Sequence, residues 1–353
     1  KRNIKFIKYK IFSLDQINIF QNLKFLNFIF RIILTLCFPL IFYYQYTKIK
    51  KLFLKFKIDN FMSVNGGYPG GDLSRISSIV WGKLEKEKKS WHNFHNLAVK
   101  SNRFFLTNFY RNIIDKILQN SINGFITVSK SCAESLKQRK YLNKSKIKIV
   151  YNGFAPGKIK FSDIRKELKI KSNSSLLLFL GEYDLRKGHE LIIKVMDNIV
   201  KENKDIYLLI CGYGSKTNFS NIKEIVDNSY SKNKIFLKNF RKDNLNLISQ
   251  CDLLVIPSKN FESFGYTAVE AMSLKKPVIS TNIGGLKEVI DHNSTGFIIS
   301  GNNHKLFAEK VLLLLKNHKL RKSFSEKGYK RYRKYFSSEI MTKKYLNTII
   351  TDK

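Results

Sequence analysis

From residue 58 onward, short apolar runs rich in Val, Ile, Leu and Phe alternate with stretches whose apolar positions recur every three or four residues. Runs at 60–64, 124–129, 147–151, 176–180, 206–211, 234–237, 253–256, 277–280 and 296–299 predict strands, being short and flanked by turn residues. Amphipathic stretches at 73–87, 112–120, 190–202, 244–249, 267–274 and 305–316 predict helices between most of them. Such alternation predicts an α/β protein whose parallel sheets are covered by helices. The polar stretch 152–175, with one helical piece at 164–168, reads as a linker, so the pattern resolves into two α/β domains. The expected divisions are 1–57, 58–155, a linker at 156–173, 174–330, and 331–353 with a basic helix at 331–350.

Residues 1–57 have a different texture. Lys and Arg crowd both ends, Asp15 is the single acid, and an apolar run lies between, from Phe25 to Tyr46. The run is about long enough to span a bilayer, but Asn27, Arg31 and Pro39 interrupt it. Two readings stay open. One is a basic, aromatic helix lying in the headgroup region of an anionic membrane, where Lys48, Lys50, Lys51, Lys55 and Lys57 would each add about 1 kcal/mol of attraction. The other is an amphipathic core helix with basic flanks.

The 353 residues fit about two domains, and 43% hydrophobic with 26% charged residues excludes a mostly disordered chain. The formal net charge of +37 attracts polyanions: nucleic acid, anionic lipid or phosphorylated substrates. Its basic residues are spread along the chain, and no RNP, zinc-finger or helix-turn-helix pattern appears, so no specific nucleic-acid partner is expected. Cys37, Cys132, Cys211 and Cys251 stand far apart with no CxxC pair, which reads as reduced, mostly buried thiols in a cytosolic protein. The expected location is cytoplasmic, peripheral on the inner face of the membrane if the N-terminal helix binds lipid.

In open α/β sheets, ligands bind where loops leave the carboxyl ends of strands and enter helix N-termini. Four such loops are glycine-marked: Asn65-Gly66-Gly67-Tyr68-Pro69-Gly70-Gly71, with Asp72 as the expected N-cap of the next helix; Gly181 to Gly188; Gly212-Tyr213-Gly214; and Asn282-Ile283-Gly284-Gly285. Each alone reads equally as a tight turn. Three in one half of the chain, beside Arg186 and Lys187, favour a phosphate ligand. None matches GxxxxGK[ST], so triphosphate hydrolysis is not supported. Glu262 falls in the loop after the strand at 253–256 and Glu270 in the following helix. Read functionally, the two carboxylates point into one cleft, with Ser263, Phe264 and Gly265 offering backbone N–H groups at the helix start. A carboxylate that accepts two hydrogen bonds suits a vicinal diol such as ribose; read blandly, both are ordinary surface or helix carboxylates.

Glu262-x7-Glu270, then Pro277-Val278-Ile279-Ser280-Thr281-Asn282-Ile283-Gly284-Gly285-Leu286-Lys287-Glu288-Val289-Ile290, then Gly296-Phe297, resembles the C-terminal domain of retaining glycosyltransferases of family 4. Arg186-Lys187-Gly188-His189 and Asp252-Leu253-Leu254-Val255-Ile256-Pro257-Ser258 resemble its KG and PS motifs. Val128-Ser129, Tyr151-Asn152-Gly153 and the segment around His95 resemble its N-domain landmarks, and the likeness covers roughly 58–335. It implies the GT-B fold, two Rossmann-like domains facing each other across a cleft. It also implies retaining transfer from a nucleotide-diphosphate sugar to a glycan or lipid-linked acceptor, in polysaccharide, lipopolysaccharide or glycolipid synthesis.

Residue by residue, the resemblance implies that Lys187 neutralises the diphosphate leaving group and that Glu270 holds the ribose. Glu262, with the amides of Ser263, Phe264 and Gly265, would hold the transferred sugar or its phosphates. Phe240 and Arg241 would meet the base, while Arg186, Gly188, Gly284 and Gly285 complete the donor site. His95 would face the sugar and acceptor, or else be an ordinary loop histidine. Gly66, Gly67, Gly70 and Gly71 form a candidate phosphate or acceptor loop. The tail helix would cross back to the N-domain. No cofactor or metal is expected: no DxD lies in a strand-end loop, and His92 and His95, loosely spaced as metal ligands, lack a carboxylate or Cys nearby. The chain departs from the family at Glu182, where Arg is usual. No strand with a Gly-rich loop precedes Leu23, so the family's opening βα units are expected to be missing. Those departures also suit a non-catalytic relative that binds a nucleotide-sugar or a partner without turnover.

Overall fold

A computed structural model of the protein describes residues 8–12, 32–33, 36–56, 58–85, 90–99 and 105–351. The chain divides into two compact units, Lys1–Val150 with Tyr345–Lys353, and Tyr151–Lys344. Each is built on a sheet of parallel strands joined by helical crossovers.

In the first unit α1 (Phe38–Lys55) precedes a sheet of β1 (Met62–Asn65), β2 (Ser90–Phe94), β3 (Ile122–Thr127) and β4 (Ile147–Ile149). The strands lie in chain order, every neighbouring pair parallel. α2 (Asp72–Leu84), α3 (Phe105–Ser121) and α4 (Lys130–Lys137) make the crossovers. β2 is a strand the hydrophobic pattern does not predict, because Ser-Trp-His-Asn-Phe offers no apolar run. All five residues are nevertheless buried. Their polar groups are met only in part: His92 Nδ1 lies 3.0 Å from Ser78 Oγ and Asn93 Nδ2 donates to Tyr345 Oη at 2.7 Å, while Ser90 Oγ, Trp91 Nε1, His92 Nε2 and Asn93 Oδ1 are buried without a hydrogen-bond partner. Asp72 is not the cap of α2 but its first residue. Gly71 takes the cap position, and the Asp72 carboxylate is drawn into an ion pair with Arg75 one turn on.

Pro39 sits in the first turn of α1, where its missing N–H costs nothing, and the turn at Cys37 separates α1 from the helical residues 32, 33 and 36 before it. Ile49 packs on Ile76 and Val80 of α2. Leu40, Tyr43 and Leu54 are exposed, on a helix that also carries Lys48, Lys50, Lys51 and Lys55 and no acid. Asn27, Arg31 and Lys57 lie outside the described residues. No described helix is long and apolar enough to cross a membrane.

The second unit holds six parallel strands, β5 (Ser175–Leu180), β6 (Ile206–Gly212), β7 (Ile235–Asn239), β8 (Leu253–Ile256), β9 (Val278–Thr281) and β10 (Gly296–Ile299), in the order β10-β9-β8-β5-β6-β7. The chain starts in the middle, winds out through β6 and β7, then returns past β5 to wind the other way. Leu177, Phe179, Leu208, Ile210, Leu253 and Val255 on the strands meet Ile192, Val195 and Ile199 of α6 (His189–Glu202) in one core. α5 (Ile164–Glu167) lies within the stretch read as linker, yet it is docked: Arg165 pairs with Asp252 at 2.8 Å, and the Ile164 amide donates to Gln250 at 3.0 Å. α7 (Lys216–Asp227), which the pattern does not predict, α8 (Asn244–Gln250), α9 (Tyr266–Ser273), α10 (Leu286–Val289) and α11 (His304–Lys316) complete the crossovers. The expected single helix at 331–350 is two, the end of α12 (His318–Tyr335) and α13 (Ser338–Leu346). The break lies where the Phe336 carbonyl accepts from the Phe154 amide at 2.9 Å and the Phe336 side chain is buried.

Candidate active site

The strand order of the second unit reverses between β5 and β8. Loops leaving those two strands turn toward opposite faces, which opens a crevice at their carboxyl ends. A cleft of about 430 Å³ lies there. Gly181, Glu182, Arg186 and Lys187 line it from the loop after β5, Gly212 and Tyr213 from β6, and Phe240, Arg241 and Lys242 from β7. Ser258 and Glu262 follow β8, and Tyr266, Thr267 and Glu270 come from α9.

Lys187 ends a short 3₁₀ turn whose N-cap is the Asp184 carboxylate, accepting from the Arg186 amide at 2.8 Å. Gly188 then takes φ +81°, and a Cβ there would fall on the Pro257 carbonyl. Only glycine lets the turn run into α6 while pressed against the end of β8. The result sets Lys187 Nζ 2.7 Å from Glu262 Oε2, which also accepts from Ser258 Oγ at 3.2 Å. Glu262 is held from beneath: Gly284, at φ +56°, lies so close that a Cβ would strike the Glu262 carbonyl, and the Gly285 amide donates to that carbonyl at 2.8 Å. Phe264 is buried against Tyr151 and Phe336, with ring centroids 6.1 and 5.8 Å away. Gly188, Ser263, Phe264, Gly265, Gly284 and Gly285, expected at the donor, are thus outside the cleft lining. Close backbone packing uses Gly188, Gly284 and Gly285 to carry Lys187 and Glu262.

Glu270 is buried, and burial pushes its carboxyl up to about 7, opposed by the hydrogen bond that Asn244 Nδ2 donates at 3.0 Å. Asn244 carries no sequence signal of this role, since it lies far from Glu270 along the chain. Arg241 is committed elsewhere than the expected base contact: its guanidinium reaches both oxygens of Asp243, at 2.9 and 2.8 Å, and of Glu167, at 2.6 and 2.8 Å. Phe240 and Tyr213, each 62% exposed, form an aromatic rim with rings 6.2 Å apart, edge to face. Tyr213 was legible only as part of a glycine-flanked loop.

In the first unit, His95 is the first residue beyond β2, and its amide donates to the Asn65 carbonyl at 3.0 Å. That brings it beside Gly66 and Gly67 at the carboxyl end of β1. His95 Nε2 lies 3.2 Å from Asn93 Nδ2, the amide that also holds Tyr345. Gly70 turns the loop at φ +54°, Gly71 caps α2, and buried Tyr68 ties the loop inward. His92 points into the core, where burial and then Arg75 hold its imidazole down to about 3, hence neutral.

Residues 160–331 match the family described as glycosyl transferases group 1. An uncharacterized glycosyltransferase of Methanocaldococcus jannaschii is 30% identical over 243 residues, 63% of this chain and 62% of that protein. A capsular polysaccharide biosynthesis glycosyltransferase of Staphylococcus aureus is 24% identical over 237 residues, 65% of this chain and 62% of that one. The chain thus spans less than two thirds of the length of either relative. Among solved structures, Anabaena HepE in complex with UDP superposes with a TM-score of 0.70 at 17% identity, covering 87% of this chain and 82% of that one. The chain carries the GT-B fold, and its residues 160–331 match the group 1 glycosyl transferases.

Proposed function

We propose that the protein is a glycosyltransferase that binds a nucleotide-diphosphate sugar in the cleft of its second unit and transfers the sugar to a glycan or lipid-linked hydroxyl with retention, in cell-surface polysaccharide or glycolipid synthesis. The observation that carries this reading is one constellation. A lysine and a carboxylate meet at the strand-order reversal, and a second, buried carboxylate lines the same cleft. Lys187 would leave Glu262 for the diphosphate, whose charge grows as the glycosidic bond breaks. Glu262, freed, would accept from hydroxyls of the sugar, and Glu270 from the two ribose hydroxyls. The Phe240 and Tyr213 rim offers apolar faces to a base. His95 and the Gly66-Gly67 turn are assigned to the acceptor, whose hydroxyl would attack from the face the diphosphate leaves. NMR of the product tests the stereochemistry: the anomeric configuration of the accepted donor is expected to persist, and the opposite anomer would contradict retention.

Glu270 gives the donor reading a pH signature. Its carboxyl is raised to about 7 in the folded protein against an ordinary value of 4.5, so its stabilising effect is complete below 4.5 and is lost as pH rises through 7. A diol binds the ionised form, so affinity for a nucleotide-sugar should rise through pH 7, with a proton released on binding below it. UDP-glucose and GDP-mannose have no group of their own titrating there. Calorimetric titration from pH 5.5 to 8.5 is expected to show about thirtyfold tighter binding of the accepted donor at the alkaline end. Glu270→Gln should bind more weakly and flatten the profile. An unchanged slope in that variant contradicts the assignment.

The exposed leucines, tyrosines and lysines of α1 support peripheral attachment to anionic membrane. Co-sedimentation with phosphatidylglycerol vesicles is expected at low salt and should fall when Lys48, Lys50, Lys51 and Lys55 are changed to Gln. Equal sedimentation with phosphatidylcholine vesicles contradicts it.

A further inference from the structure

Every guanidinium of the cleft is already spoken for. Arg241 is fixed by two carboxylates, each gripped through both oxygens. Arg186 is held differently. One nitrogen, Nη2, meets Glu182 Oε2 at 2.8 Å, while Nε lies 3.4 Å from Asp184, and the guanidinium rests 5.4 Å from the Phe261 ring centroid. Arg186 and Glu182 side chains are 28% and 36% exposed, against 18% and 17% for Lys187 and Glu262, so the first pair is the more hydrated and the easier to part. Along this wall Glu182 and Glu262 match Arg186 and Lys187 in number, with Asp184 just behind the guanidinium. An empty cleft therefore offers a dianion no surplus positive charge on that side.

We infer that Glu182 is an internal competitor for Arg186, occupying the guanidinium that would otherwise meet the donor's diphosphate and so setting the affinity of the cleft. The inference rests on the donor reading above. Phe261 supplies a flat surface over which the guanidinium can turn without losing its stacking contact. A diphosphate, with two phosphates to the carboxylate's one charge, takes Arg186 from Glu182 and leaves that carboxylate exposed to water. The position thus reduces affinity for the nucleotide, which favours release of the spent nucleoside diphosphate after transfer.

Calorimetric titration of the full chain with UDP and GDP at pH 8 tests this. Glu182→Gln, and Glu182→Ala as a second variant, are expected to bind the accepted nucleotide about two- to fivefold more tightly than the unaltered protein. Arg186→Gln should bind more weakly, and Glu182→Gln should add nothing in that background. Raising salt should shrink the gain. Equal or weaker binding by both Glu182 variants overturns the inference, as does a gain that survives Arg186→Gln. Absence of saturable binding by the unaltered protein and every variant overturns the donor reading itself, and this inference with it.

Discussion

Lys187→Gln is expected to lower sugar transfer by about 10²–10³-fold while leaving the protein folded. The barrier to breaking a glycosidic bond depends on how well the departing diphosphate's growing charge is met. Lys187 is the cleft cation placed against Glu262, the residue assigned to the sugar, at 2.7 Å. Because that interaction strengthens as charge develops, its loss should fall on kcat more than on KM. The variant also leaves Glu262 without its cation, but the side chain is partly hydrated and keeps Ser258, so the fold should survive. Single-turnover kinetics with the accepted donor check the split. A loss confined to KM would mean that Lys187 only helps the donor bind.

Asp115→Ala is expected to destabilise the first unit by about 3–5 kcal/mol. Asp115 is fully buried, accepts from Tyr68 Oη at 2.5 Å and pairs with Arg139 at 2.7 Å, with Arg75 at 4.0 Å. Arg75 Nε and Nη1 and Arg139 Nη2 are buried without a hydrogen-bond partner. Removing the shared carboxylate would leave two buried guanidiniums with only Asp72 between them. Trp81 and Trp91 are the two tryptophans of the chain, and both lie in this unit, so their fluorescence reports its unfolding in urea. The midpoint should drop sharply in Asp115→Ala. Removing both partners, in Asp115→Ala with Arg139→Met, should recover part of the loss; no recovery would show that the pair itself is not the cause.

How much of this was legible depended on whether burial follows apolarity. The second sheet was readable because β5, β6 and β8 are nearly continuous apolar runs, as strands buried on both faces must be. β2 was not, because it buries polar side chains, of which His92 and Asn93 are met in part by Ser78 and by Tyr345 from the far end of the chain. The spacing of Glu262 and Glu270 and the Arg186-Lys187-Gly188 run marked the cleft in advance. The glycines that carry those side chains were equally visible but were assigned to the donor, since spacing cannot tell a backbone packed on a carbonyl from one facing a phosphate. The Asn244 partner of Glu270 and the Glu167 partner of Arg241 were invisible for the same reason: the fold, not local sequence, brings them together.

The most direct test of the central claim is nucleotide release from a panel of nucleotide-diphosphate sugars, with glycan and lipid-linked acceptors and with Lys187→Gln and Glu270→Gln beside the unaltered chain. Acceptor-dependent release from one donor, lost in both variants, is the predicted result. A folded protein that releases nucleotide from none of them, or variants that release it as fast as the parent, would contradict the account.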